Sequence, residues 1–173
     1  MMENLKYPIG KFEYPKTYSD SDIERWIDEI DRIPDQYRTL VQSLSDEKLN
    51  TPYRPDGWTA RQVIHHVPDS HFQAYCRFKW VLTEEHPTIK PYHENRWAEL
   101  PDSKFTPVSV SLDMLSSVHS RWVMLMRNID REDFDKYYIH PEYNNKYALG
   151  AVCKLYAWHG KHHLAHLQII KDI

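Results

Sequence analysis

Four of the chain's eleven histidines fall within eight residues, as His159-Gly160-Lys161-His162-His163-Leu164-Ala165-His166. In a helix that advances about 100° per residue, His159 and His163 lie one turn apart on one face, with His162 and His166 as a second pair beside them. Imidazoles spaced i, i+4 can point at one metal ion and take their remaining partner from another element. The same four residues could also decorate a wet helix face. What separates the two cases is the apolar stripe: Val152, Leu155, His159, His163 and Ile170 form one line, so these two histidines should point inward. His66 is the natural third ligand, because it shares a side with Val63 and Ser70 on a helix that must pack nearby. His65, His71, His162 and His166 are expected on the surface or as supporting neighbours. Three neutral imidazoles with a position left open make a catalytic type of site, which lowers the pKa of bound water or binds a thiol as thiolate. Zinc is the first expectation, and nickel or iron would accept the same ligands. Asp69 is a candidate to orient a ligand histidine.

These residues need helices to hold them. Residues 1–20 carry Pro8 and Pro15 among scattered aromatics and read as an extended arm. Ser21-Asp22-Ile23-Glu24 has the form of a capping box, and behind it Ile23, Trp26, Ile27, Ile30, Ile33, Tyr37, Leu40, Val41 and Leu44 make a helical stripe. Pro34 interrupts that stripe, predicting a kink or a break into two helices. Thr59 to Gln62 is a second capping box, opening a helix with Val63, Ile64, Val67, His71, Ala74, Tyr75, Phe78 and Leu82 on its apolar side. Pro68 denies the Ile64 carbonyl its helical donor, so either the helix bends there or another group satisfies that carbonyl. Residues 84–107 lack a helical period and read as a long connection covering a site, with Tyr92, Arg96 and Trp97 suited to a lid. A third helix is predicted over 109–129, with His119 and Arg121 flanking its stripe. A small hairpin follows over 137–147, and a last helix over 149–172. Four amphipathic helices predict an all-α, antiparallel up-and-down four-helix bundle, in one domain spanning 1–173.

Composition narrows the function. The net charge of −3 gives no basic footprint for nucleic acid, and no window resembles a membrane span or a signal core. Cys76 and Cys153 form no Cys-x-x-Cys motif, so neither a disulfide framework nor a thiolate zinc site is indicated. The chain reads as a reduced, cytoplasmic protein whose metal would take nitrogen and oxygen ligands.

An ordered set of motifs then resembles a known family. It runs through Tyr7-Pro8-Ile9-Gly10, Thr51-Pro52-Tyr53-Arg54, Gly57-Trp58-Thr59, Arg61-Gln62-Val63, His65-His66 and Asp69-Ser70-His71. It continues through Pro91-Tyr92, Trp97, His119-Ser120-Arg121-Trp122, His140-Pro141 and Leu155-Tyr156-Ala157-Trp158-His159, closing on His162-His163 and His166. The chain resembles the DinB-like superfamily and, within it, the YfiT-type metal-dependent hydrolases. That resemblance implies an up-and-down four-helix bundle with one divalent metal per chain, held by His66, His159 and His163. It also implies a cytoplasmic homodimer and an activity of either hydrolysis or S-transfer from a low-molecular-weight thiol such as bacillithiol. The chain departs from the family pattern at Pro68, where a small helix former is usual.

Three readings follow. In the first, the metal holds a thiol that attacks a small electrophilic substrate, and Arg54, Arg77 and Arg121 are candidates to bind its carboxylates. In the second, metal-bound hydroxide hydrolyses a carbonyl or phosphoryl centre. In neither does the sequence offer a protein general base. In the third, the chain is a non-enzymatic metal-binding stress protein, which a fourth protein ligand such as His162 or Glu142 would support.

Overall fold

Ser19, two residues earlier than the sequence pattern suggests, starts the first long helix. Its hydroxyl accepts from the Asp22 amide at 3.2 Å, and the Asp22 carboxylate accepts from the Ser19 amide at 3.0 Å. Ser19 and Asp22 satisfy the same reciprocal pattern as Ser21 and Glu24, and Ser19 has the extended backbone that a cap requires (φ −93°, ψ 169°), which leaves Ser21 inside the first turn.

The computed structural model describes residues 2–142 and 144–173. Met1 of the arm and Tyr143 of the hairpin lie outside the described residues. Within the arm, Met2–Lys6 forms a short helix, α1. The first long helix, α2 (Asp20–Val41), runs through Pro34 without a break, and α3 is the single turn Asp46–Leu49. The expected box of Thr59 and Gln62 opens α4 (Ala60–Thr83), which also runs unbroken through its proline, Pro68. The long connection is less bare than its sequence suggests: it holds two short helices, α5 (Glu94–Trp97) and α6 (Pro101–Phe105). Segments of four and five residues are too short for a hydrophobic period to declare itself. Then come α7 (Val108–Met126), a turn of 3₁₀ helix (Arg131–Asp135), strands β1 (Tyr137–His140) and β2 (Asn145–Ala148), and α8 (Leu149–Asp172). The strands pair antiparallel from Tyr137↔Ala148 to His140↔Asn145, and Ile139 also bonds the connection, accepting from the Ile89 amide and donating to the Pro87 carbonyl.

The four long helices make the bundle, and their order around it is specific. Both α2 and α4 pack against α7 and α8, whereas α2 and α4 share few contacts with each other, as do α7 and α8. Helices consecutive in sequence therefore stand diagonally in two cases, which the long segments between α2 and α4 permit. Trp122, Tyr37, Phe78, Ile30, Ile33 and Ile64 fill the centre, each essentially inaccessible to water. What matters for function is that α4 and α8 are direct neighbours.

Candidate metal centre

α4 contributes His66 and α8 contributes His159 and His163, and the structure brings the three together. One ring nitrogen of each lies within 4.8 Å of the others. His66 Nε2 stands 3.3 Å from His159 Nε2. Two ligand nitrogens on a tetrahedral zinc, each about 2.0–2.1 Å from the ion, stand about 3.3 Å apart, so this separation fits a shared metal. His159 and His163 are one helical turn apart, with ring centroids 4.6 Å apart, as the i, i+4 spacing requires.

Burial sets their charge. Desolvation, reinforced by the neighbouring imidazoles, pushes His66 down to about 3 and holds His159 and His163 well below the ordinary histidine range. Each is therefore a neutral imidazole with one bare nitrogen, the form that binds a metal. Neither a carboxylate nor a thiol joins the group among the described residues. His162 and Glu142, the sequence candidates for a fourth ligand, are not in it.

The three histidines form the floor of a cleft of about 460 Å³. Trp58 stands over His66 with ring centroids 4.6 Å apart, and Tyr53 stacks on His166 at 3.9 Å. Lys6 and Arg54 bring positive charge to the lining, with Asp56 and Glu94 also part of it. His162 stacks on Trp158 at 4.4 Å, and its buried Nδ1 has no hydrogen-bond partner among the described residues.

The other sequence candidates are placed differently. Asp69 is half-buried, and burial raises it to about 6, but it makes no hydrogen bond to a ligand histidine among the described residues. Arg77 is buried over the Tyr138 ring, 5.6 Å from its centroid, and does not line the cleft. Arg121 lies exposed over Tyr75, and Trp97 packs on Tyr92 at the edge of the connection, so neither reaches the cleft wall. Of the three arginines, only Arg54 lines the site.

Of the two places expected for these four histidines, on the surface or as supporting neighbours, the structure excludes the first, since all four are buried. His65 Nδ1 meets the Ser111 hydroxyl at 2.7 Å. His71 stands between two other histidines: its Nε2 is 3.1 Å from His159 Nδ1 and its Nδ1 is 2.8 Å from His119 Nε2. His119 Nδ1 in turn lies 2.7 Å from the Ile30 carbonyl. His166 Nδ1 is 3.3 Å from His163 Nδ1, and its Nε2 is 3.3 Å from the Lys6 carbonyl. The N-terminal arm accounts for the burial of two of them, because Lys6 and Tyr7 cover the side of α8 that carries His162 and His166. For His71 the signal was present in the apolar side of its helix. His119 gave a weaker one, since it flanks its stripe.

A model of the DinB superfamily matches residues 29–167. The chain belongs to the DinB superfamily. Among proteins similar to this DinB chain, one from Bacillus mycoides is 49% identical over 171 residues, covering 99% of this chain and 98% of the relative. Another, from Bacillus cereus, is 50% identical over 170 residues, covering 98% and 97%. Both carry the name of metal-dependent hydrolase as a provisional assignment. The solved structure of YfiT from Bacillus subtilis superimposes with a TM-score of 0.95 at 40% identity, covering 98% of this chain and 97% of its own. It is described, also provisionally, as a metal-dependent hydrolase with an unusual four-helix bundle topology. At that TM-score the helices of this DinB protein, with α2 and α4 diagonal, follow the same bundle arrangement as YfiT.

Proposed function

We propose that the protein is a metal-dependent enzyme in which His66, His159 and His163 hold one divalent ion, zinc before nickel, to activate a nucleophile for attack on a small molecule. The observation that carries this reading is the convergence of three neutral imidazoles on the floor of an open cleft, with no fourth protein ligand in the group among the described residues. A structural zinc site is normally closed by four protein ligands, whereas three leave a position for a reactant. The bound ion would lower the pKa of a water or thiol so that an anionic nucleophile exists at neutral pH.

The chain's own residues do the rest. Trp58 and Tyr53 wall the floor against bulk water. Lys6 and Arg54 offer charge to an anionic reactant. The cleft has the size of a small-molecule site. S-transfer from a low-molecular-weight thiol is the first reading, because it asks for no protein base and because Lys6 and Arg54 stand in the lining to meet an anionic group of the thiol. The S–C bond forms as the bond to the leaving group breaks, and the thiol proton leaves to solvent. Hydrolysis is the second reading, favoured by the names of the Bacillus relatives.

The deciding experiment incubates the zinc- or nickel-loaded protein with a panel of thiols plus a bromoalkane, and separately with esters and amides. Thioether formation supports S-transfer, and turnover in the second panel alone supports hydrolysis. No turnover in either, with the metal bound, removes the enzymatic reading.

A further inference from the structure

Pro34 leaves a carbonyl without its helical donor, and a histidine takes it. In α2 the Ile30 carbonyl would accept from the amide of residue 34, which proline lacks. His119, reaching across from α7, lies 2.7 Å from that oxygen through Nδ1. A carbonyl only accepts, so His119 Nδ1 carries the proton and donates. The rest follows by exclusion. Neutral His119 has a bare Nε2, so His71 Nδ1, at 2.8 Å, must donate to it. Neutral His71 then has a bare Nε2, which accepts from His159 Nδ1 at 3.1 Å. His159 is left with its bare nitrogen at Nε2, the atom that faces His66 Nε2.

The second ligand on α8 shows the same construction from the opposite side. The Lys6 carbonyl accepts from His166 Nε2, so His166 Nδ1 is bare and accepts from His163 Nδ1. His163 Nε2 is then the free nitrogen. Two separate runs, each ending on a backbone carbonyl, thus give His159 and His163 the same tautomer. His71, His119 and His166 are all buried, and none has a carboxylate among its hydrogen-bond partners in the described residues, so each ring stays neutral as the exclusion requires.

We propose that these carbonyl-anchored histidine runs dictate which nitrogen of His159 and His163 is offered to the metal, making His71, His119 and His166 positioning residues for the site and Pro34 the residue that frees the anchor of the longer run. The role of such partners is to fix the tautomer and ring orientation of a ligand imidazole. The proposal deepens the metal reading and rests on it for its functional meaning, although the tautomers exist without metal.

The test uses the full chain, metal-free and nitrogen-15 labelled, in long-range proton–nitrogen spectra that identify the protonated nitrogen of each imidazole. The expected result is Nδ1–H on His119, His71 and His159; Nε2–H on His119 or His71 overturns the proposal. The second arm is zinc affinity measured by competition with a chelator. His119→Phe removes the acceptor for His71 and should weaken zinc about 10- to 100-fold, with the protonated nitrogen of His159 no longer fixed. His119→Gln places an amide oxygen near the position of Nε2, keeps His71 donating, and should bind zinc within a few-fold of the unsubstituted protein. Equal affinities in the two variants, whether both high or both low, also overturn it. An unsubstituted protein with the assigned tautomers and no zinc affinity would instead count against the metal reading alone.

Discussion

Ile33 of α2 occupies the space that a side chain on Gly160 of α8 would need. A Cβ at Gly160 would overlap Ile33 Cδ1, and the Tyr37 hydroxyl, one turn along α2, donates to the Gly160 carbonyl at 2.9 Å. Glycine in a helix interior costs about 1 kcal/mol against alanine, and here it allows the two backbones to approach beside His159. Gly160→Ala recovers that propensity but overpacks a filled core, at a cost of about 1–3 kcal/mol. The net effect expected is a melting temperature lowered by several degrees, read by thermal unfolding; a rise would mean that Ile33 moves aside without cost.

The ligand assignment has its own test. Elemental analysis of the purified protein should find about one zinc or nickel per chain, and His66→Ala, His159→Ala and His163→Ala should each lose it. Stoichiometric metal retained in any two of these variants would remove the site from these residues.

Acid should unfold the metal-free protein early. His119 is held down to about 4 and His66 to about 3, both chiefly by burial, while an unfolded chain titrates its histidines near 6.5. The unfolded state therefore binds more protons below pH 6.5, and stability falls as pH drops from there through 4 and toward 3. His119 alone is worth roughly 3 kcal/mol over this range. Urea midpoints measured between about pH 8 and 4 should decline steeply below 6.5. A flat profile would show that these rings are not desolvated as described.

Pro34→Ala separates stability from metal binding. It returns an amide donor to the Ile30 carbonyl and removes a helix-interior proline, a residue that costs about 3 kcal/mol against alanine, although the buried proline ring also loses some packing. The metal-free protein should be at least as stable, while zinc binds several-fold more weakly because His119 now competes for its anchor. Calorimetric unfolding and chelator competition on the same sample check both signs.

Arg54→Ala should act on the substrate and not on the metal. Arg54 lines the cleft without belonging to the ligand group, so zinc content should stay near one per chain. The KM for an anionic thiol should rise about tenfold or more with a smaller change in kcat, as loss of uniform binding predicts. An unchanged KM would place the anionic group elsewhere.

Much of this architecture was legible in the sequence because periodicity reports burial. The stripe through Val152, Leu155, His159 and His163 identified inward histidines without any contact being known, and the bundle followed from the four long patterns. What was not legible depends on partners distant in sequence. His166 and His162 look like the wet side of α8 until the arm, about 160 residues away, covers them. The Ser19 cap lost to Ser21 in the sequence because two overlapping pairs met the same pattern. Pro34 could be read only as an interruption, since nothing local shows that His119 meets the carbonyl it frees. The order of helices around the bundle was equally hidden, because long connections leave more than one route open.

The neighbouring placement of α4 and α8 also bears on how the protein is made. His66 precedes His159 by 93 residues, so a growing chain has completed α4, the long connection, α7 and the hairpin before the other two ligands exist. Nascent α4 presents one of the three histidines and no chelating pair. On the proposed metal reading, the three-histidine site can fill only after α8 has been made and has begun to pack against α4.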